Sequence, residues 1–265
     1  MRNRITSVQN DRIKKVVRLR NHKDRLKLGL TIVEGRREVQ QALDAKCDFK
    51  EFYICKDFLV DADHKIIDAI SKLKIDCFEV TDDVFNKISY GDRKEGIVAI
   101  CVPKVADIKS IAFKKDAFVL VVESVEKPGN LGAILRSCDG AGVDLIIISD
   151  EKTDIFNPNV IRSSLGTVFT QKVIASSNED TYEYLKSNKI KIAAATPHSK
   201  SSYTKADLNG SLAIVVGSEQ DGLSDFWIKK SDMKLKIPMK GCADSLNVST
   251  STAILLYEAL RQRHE

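Results

Sequence analysis

Strand-sized apolar runs alternate with stretches of helical spacing through the second half of the chain, and this limits the fold more than any other feature. AFVLVV at 117–122 and DLIII at 144–148 are apolar at almost every position. A strand half exposed to water alternates apolar and polar residues, whereas one covered on both faces reads as a continuous run. The pattern predicts strands at 117–123, 144–149, 190–195, 212–217 and 234–237, with helices near 130–141, 158–165, 179–187, 224–230 and 250–263. Helices interleaved in this way imply a mostly parallel sheet with both faces covered.

The first half predicts a smaller α/β module of three layers. Val8, Ile13, Val16, Val17, Leu19 and Leu26 sit at helical intervals in a Lys/Arg-rich stretch, predicting one helix over 8–28. Strands are expected at 30–33, 51–55, 76–80 and 96–101, separated by helices at 36–45, 61–74 and 82–89. Periodicity lapses after Pro103. The expected domains are therefore 1–103 and 117–265, joined by a linker over 104–116.

Charge placement adds a function class. The 265 residues carry a net +5, but residues 1–40 alone hold twelve Lys/Arg against four Asp/Glu. A basic leading segment on a near-neutral body suits a polyanionic partner, and a solvated helix face would carry the same charges. No apolar run approaches the roughly 18 residues of a membrane span. The basic N-terminus lacks the apolar core of a secretory signal. The six cysteines never form a C-x-x-C pair, and the four histidines add no ligand spacing. No metal and no membrane are expected, and the cysteines read as buried thiols of a reducing, cytoplasmic compartment.

Three segments could carry chemistry. In EKPGNLGAILRSCDGAG (126–142), Leu131, Ile134, Leu135 and Cys138 form an apolar stripe. The opposite face holds Gly132, Ala133, Arg136, Ser137 and Gly140, so one long cation stands among small residues. Close helix packing and a guanidinium aimed at a polyanion both fit. In AIVVGSEQDGLS (213–224), a strand ends at Gly217, Glu219 and Gly222, a pattern that admits a ligand to the backbone or simply makes a turn. Neither G-x-G-x-x-G nor the Walker pattern occurs, which disfavours ordinary dinucleotide and P-loop sites. In KIPMKGCADSLNVSTSTAILLYEALRQR (236–263), a loop enters a helix through small polar residues. Ser249 and Thr250 are candidate caps, and Ser245 and Asn247 project to one side of an extended stretch.

In this order the segments resemble the SpoU/TrmH family of SPOUT methyltransferases. The matches are N-x-G-x-x-x-R at Asn130, Gly132 and Arg136, G-x-E-x-x-G at Gly217, Glu219 and Gly222, and P-M with S-L-N-V-S within 238–249. The stretch from ITSVQNDRIKK through IVEGRREVQQAL is similar to the RNA-binding domain that often precedes this catalytic domain.

The resemblance implies an α/β fold whose C-terminal α/β domain is trefoil-knotted, behind an N-terminal RNA substrate-binding domain. It implies methylation of a ribose 2′-hydroxyl, with S-adenosyl-L-methionine as cofactor and ribosomal RNA as the favoured substrate. Transfer RNA, or a non-catalytic RNA-binding role in ribosome assembly, are the alternatives. By position, Gly217, Ile237 and Leu246 would contact the cofactor, with Thr196, Glu219, Gly222 and Met239 in the same pocket wall. Asn130, Arg136, Glu219, Ser245 and Asn247 would serve catalysis. Arg136 would clamp phosphate and stabilise charge on the attacking oxygen, because a guanidinium is very hard to deprotonate. Glu219 would orient Arg136 or buttress the loop. Lys14, Lys15, Arg18, Arg20 and Arg162 would meet RNA, and the catalytic domains would pair as a homodimer, each site completed by the partner.

Overall fold

The computed structural model describes residues 3–90, 95–104, 108, 111, 113 and 115–264. The chain divides into two compact units, residues 1–104 with 155–170, and residues 105–154 with 171–265.

The first unit contains β1 (Asn3–Ile5), α1 (Asp11–Arg18), α2 (His22–Leu28), β2 (Thr31–Glu34), α3 (Arg36–Asp44), β3 (Asp48–Ile54), α4 (His64–Lys72), β4 (Asp76–Val80), α5 (Asp82–Ile88) and β5 (Ile97–Val102). Its mixed sheet has the order β1-β4-β3-β5-β2, with β5 antiparallel to both neighbours. Ile13, Val16 and Leu19 pack with Tyr53 and Phe78 of the sheet and with Phe85 and Ile88 of α5.

The expected helix over 8–28 is two helices. Asn10 caps α1 by accepting from the Arg12 amide, and Asn21 caps α2 by accepting from the Lys23 amide. The turn between them leaves carbonyls without helical partners, and the buried Arg25 guanidinium donates to two of them, Leu19 O and Arg20 O, each at 2.9 Å. Leu26 consequently leaves the apolar stripe and is 69% exposed.

The second unit contains β6 (Phe118–Glu123), α6 (Pro128–Ala141), β7 (Leu145–Ser149), β8 (Val173–Ser176), α8 (Asn178–Ser187), β9 (Lys191–Ala195), β10 (Leu212–Val216), α9 (Asp225–Lys230), β11 (Met233–Leu235) and α10 (Val248–His264). All six strands run parallel in the order β11-β9-β10-β6-β7-β8. β6 and β10 are buried at every position, as continuous apolar runs require. β8 escapes the sequence reading because four residues, of which only Val173 and Ile174 are buried, carry too little pattern. Much of the expected linker lies outside the described residues. Its Ile108, Ile111 and Phe113 pack against the core of the second unit, where Tyr184 Oη donates to Ile111 O at 2.9 Å.

The segment carrying α7 (Pro158–Ser163) groups with the first unit rather than with the chain on either side of it. Thr31 Oγ1 donates to Phe156 O at 2.8 Å, and Asn159 Nδ2 donates to Tyr90 Oη at 3.0 Å.

Candidate active site

Three loops that follow β9, β10 and β11 line one cavity of about 830 Å³ in the second unit. The first loop is held where Thr196 N donates to Leu235 O at 2.9 Å. The second turns sharply after Val216, as Ser218 and Gly222 exchange backbone hydrogen bonds of 3.0 and 3.2 Å. Gly222 adopts φ +69°, and a Cβ on Gly217 would collide with the Gly222 backbone. Gly217 is thus required by the chain's approach to itself. The third loop leaves β11 through Lys236, whose amide donates to Ser201 O at 3.0 Å, and returns through an exposed stretch to α10.

Thr196, Gly217, Glu219, Gly222, Ile237, Met239 and Leu246 all line this cavity, and so does Ser245. His198, Lys234, Lys236, Asp221 and Asp225 line it too. Sequence reasoning missed these five, since isolated polar residues in loops and at the ends of short elements carry no periodic signal.

Asn130 lies in the first turn of α6, where its side-chain amide donates to Glu219 and its Oδ1 accepts from Asn247 Nδ2 at 3.1 Å. Asn247 Oδ1 in turn accepts from the amide and hydroxyl of Ser249, at 2.9 and 2.6 Å. Asn247 is therefore the cap of α10, in place of the expected Ser249 or Thr250. The donor-to-acceptor order runs unbroken from Ser249 through Asn247 and Asn130 to Glu219, so neither amide can flip without losing a partner.

Burial favours the neutral form of Glu219. It is outweighed by the Asn130 side chain and by the backbone amides of Glu219, Glu126 and Lys127, which hold the carboxyl below its ordinary value. The last two precede α6, where helix amides point outward and favour an anion.

Glu219 bonds to Asn130 and not to Arg136, so of its two expected roles, orienting Arg136 or buttressing the loop, the contact fits the second. Arg136 follows Asn130 by six residues on α6, roughly 9 Å along the axis. It is exposed, has no side-chain partner among the described residues, and is not part of the cavity wall. The small-residue face of α6 serves helix packing at least in part. A Cβ on Gly140 would stand 2.7 Å from Tyr257 Oη of α10.

The proposed RNA contacts divide. Lys14, Lys15 and Arg18 are exposed on α1, with Lys14 3.5 Å from Asp11. Arg20 instead donates to the carbonyls of Lys87 and Ser89, and Arg162 donates to Tyr90 O at 3.0 Å. Both face the half-buried Glu34, whose carboxyl burial pushes up, with the Tyr90 amide and the two arginines offsetting only part of this. Arg20 and Arg162 are thus occupied inside the first unit.

Cys55, Asp57 and Asp82 lie close enough to surround an ion. Burial and a 3.4 Å hydrogen bond to Asp82 push the Cys55 thiol up to about 11, so with no ion bound it is protonated at neutral pH. No helix among the described residues is long and apolar enough to cross a membrane.

Residues 117–257 match the SpoU rRNA Methylase family, and residues 10–99 match the MRM3-like substrate binding domain. The chain is 29% identical over 253 residues to the 23S rRNA (guanosine(2553)-2′-O)-methyltransferase RlmP of Bacillus subtilis, spanning 96% of this chain and 97% of that one. A solved RNA 2′-O ribose methyltransferase superposes with a TM-score of 0.89 at 37% identity, covering 99% of this chain and all of the other. An AdoMet-bound rRNA methyltransferase from Sinorhizobium meliloti gives 0.89 at 26% identity, over 98% of this chain and 97% of that one. With a parallel sheet, a three-loop cavity at its edge and a match over more than half its length, this chain belongs to the SpoU rRNA methylase family.

Proposed function

We propose that this protein methylates a ribose 2′-hydroxyl of ribosomal RNA with S-adenosyl-L-methionine bound in the three-loop cavity, working in the cytoplasm. The observation that carries this reading is the convergence of seven candidate binding residues on one cavity, whose rim is tied to α6 through Glu219 and Asn130. Its size falls within the range of cofactor sites. Ile237, Met239 and Leu246 offer apolar surface for a nucleobase, while Glu219, Asp221 and Asp225 offer negative charge to a cationic ligand. Two of the relatives named above, RlmP and the RNA 2′-O ribose methyltransferase, act on ribose 2′-oxygens, which supports the same substrate here.

When bound, the cofactor supplies an electrophilic methyl group on a sulfonium. The protein's task is then to hold the ribose oxygen in line with it and to exclude competing water. Asn130, Ser245 and Asn247 position the ribose and the loop over it. Arg136 clamps the adjoining phosphate and offsets charge developing on the oxygen. Because Arg136 stands apart from the cavity of its own chain, we place it at the cavity of a second copy, in a homodimer formed by the catalytic domains. The return of the chain from β11 past the cavity into α10 is where we place the knot crossing. Lys14, Lys15 and Arg18 dock the RNA.

Incubating the protein with ribosomal RNA and methyl-labelled cofactor, then mapping the label, tests the proposal. Label on a ribose 2′-oxygen is expected. Cofactor binding without transfer to any ribose, or RNA binding without cofactor binding, would count against it.

A further inference from the structure

The loop that forms the cavity's middle wall is fastened at both ends by carboxylates, and only one of them belongs to a recognised motif. Glu219 ties its start to α6. At its end, Ser224 N donates to Glu123 Oε2 at 2.8 Å. Glu123 closes β6 at the centre of the sheet and is 4% exposed. Its other oxygen accepts from Asn178 Nδ2 at 2.8 Å.

Asn178, 6% exposed, has every hydrogen-bonding position filled. Nδ2 also donates to Asp150 Oδ2 at 2.6 Å, while Oδ1 accepts from Ser149 and from the indole Nε1 of Trp227, the latter at 2.6 Å. Two donors and two lone pairs are thus matched, and the amide has one permitted orientation.

A buried carboxylate with no cation against it among the described residues is costly to keep, and an apolar side chain would often serve stability as well. What an apolar residue cannot do is accept from the Ser224 amide and the Asn178 amide together. Resting on the assignment of the cavity to S-adenosyl-L-methionine, we propose that Glu123 is a positioning residue for cofactor binding: it fixes the 218–224 wall against a rigid Asn178–Trp227 platform. The platform ends on the protein's one tryptophan, so a change in the wall is carried to an optical reporter.

Glu123→Gln is the discriminating change. The substitution turns one of the two acceptor oxygens into a donor NH2, yet the site presents a donor to each, and Asn178 cannot turn to help. Either Ser224 N loses its partner or Asn178 Nδ2 loses one of its two.

In the full-length protein, E123Q should weaken S-adenosyl-L-methionine binding about tenfold, from the loss of one hydrogen bond to a charged group. It should raise the cofactor KM in parallel and leave kcat at saturating cofactor within about twofold, because Glu123 reaches no reacting atom. Trp227 emission should change on cofactor addition in the wild type, and by less in E123Q.

Wild-type cofactor affinity in a folded E123Q with altered Trp227 emission would overturn the proposal and leave a purely structural network. A lowered kcat with unchanged affinity would overturn it too. If wild type itself failed to bind the cofactor, the functional reading would fall with it. Should E123Q not fold, Glu123→Asp replaces it: the charge and both acceptor oxygens stay, but the side chain is one methylene shorter and cannot hold Ser224 N and Asn178 Nδ2 together. The same loss of affinity is expected there, and its absence would overturn the proposal.

Discussion

Asn130 and Asn247, 117 residues apart, share a 3.1 Å hydrogen bond that ties the start of α6 to the start of α10. Each is also oriented from its other side, by Glu219 and Ser249 respectively. The two helices that frame the catalytic rim are therefore set by polar chemistry as well as by packing.

Asn130→Asp tests this arrangement directly. The change puts a second carboxylate against Glu219, and one of the pair must then hold a proton to avoid like-charge contact. The single-turnover rate at neutral pH should fall, and it should recover partly as pH is lowered and a protonated carboxyl restores the missing donor. A pH profile parallel to that of wild type would show that the Asn130 donor is not needed.

Glu219 should leave a signature in acid stability. Its folded-state carboxyl lies below the ordinary 4.5, so its contribution is fully present above that value and is lost as pH falls through the folded value. Glu219→Gln should flatten the loss of stability below about pH 4.5, as followed by chemical denaturation at a series of pH values. An unchanged slope would mean that other carboxylates account for it.

Arg136→Ala should cost about 10²–10³ in the methyl-transfer rate, the usual loss for one transition-state donor. Arg136→Lys keeps the charge without the planar fork and should retain more activity. Cofactor affinity by isothermal titration should be unchanged in both, since Arg136 is assigned to the RNA phosphate rather than to the cofactor. A lysine variant as fast as wild type, accelerating through the lysine pH range, would point to a general base instead of a clamp.

Gly217→Ala should weaken cofactor binding by about tenfold or more, because the added methyl must displace the backbone of Gly222. A several-degree drop in Tm should accompany it. Wild-type affinity in that variant would show that the 218–222 turn does not shape the site.

Replacing Lys14, Lys15 and Arg18 with Gln should weaken RNA binding and make its salt dependence shallower, by roughly 0.7–0.9 in log–log slope for each phosphate no longer neutralised. Cofactor affinity should not change. Filter binding across a salt series reads both quantities. Arg20→Gln should behave differently and lower stability, since its guanidinium holds the carbonyls of Lys87 and Ser89.

Periodicity marked five of the six strands described in the sheet of the second unit, all but β8. Runs such as Phe118–Glu123 and Leu212–Val216 are apolar throughout, and only a strand covered on both faces satisfies them. The family resemblance grouped Gly217, Ile237 and Leu246, and all three line one cavity. Tertiary structure decided the rest. The break between α1 and α2 depends on Arg25 reaching back to the turn, and the placement of α7 depends on partners at Thr31 and Tyr90. Glu219 meets Asn130 instead of Arg136, and Glu123 meets Ser224 across 101 residues. Local spacing records which face of an element is buried, whereas a hydrogen bond between distant side chains exists only once the backbone has brought donor and acceptor within reach.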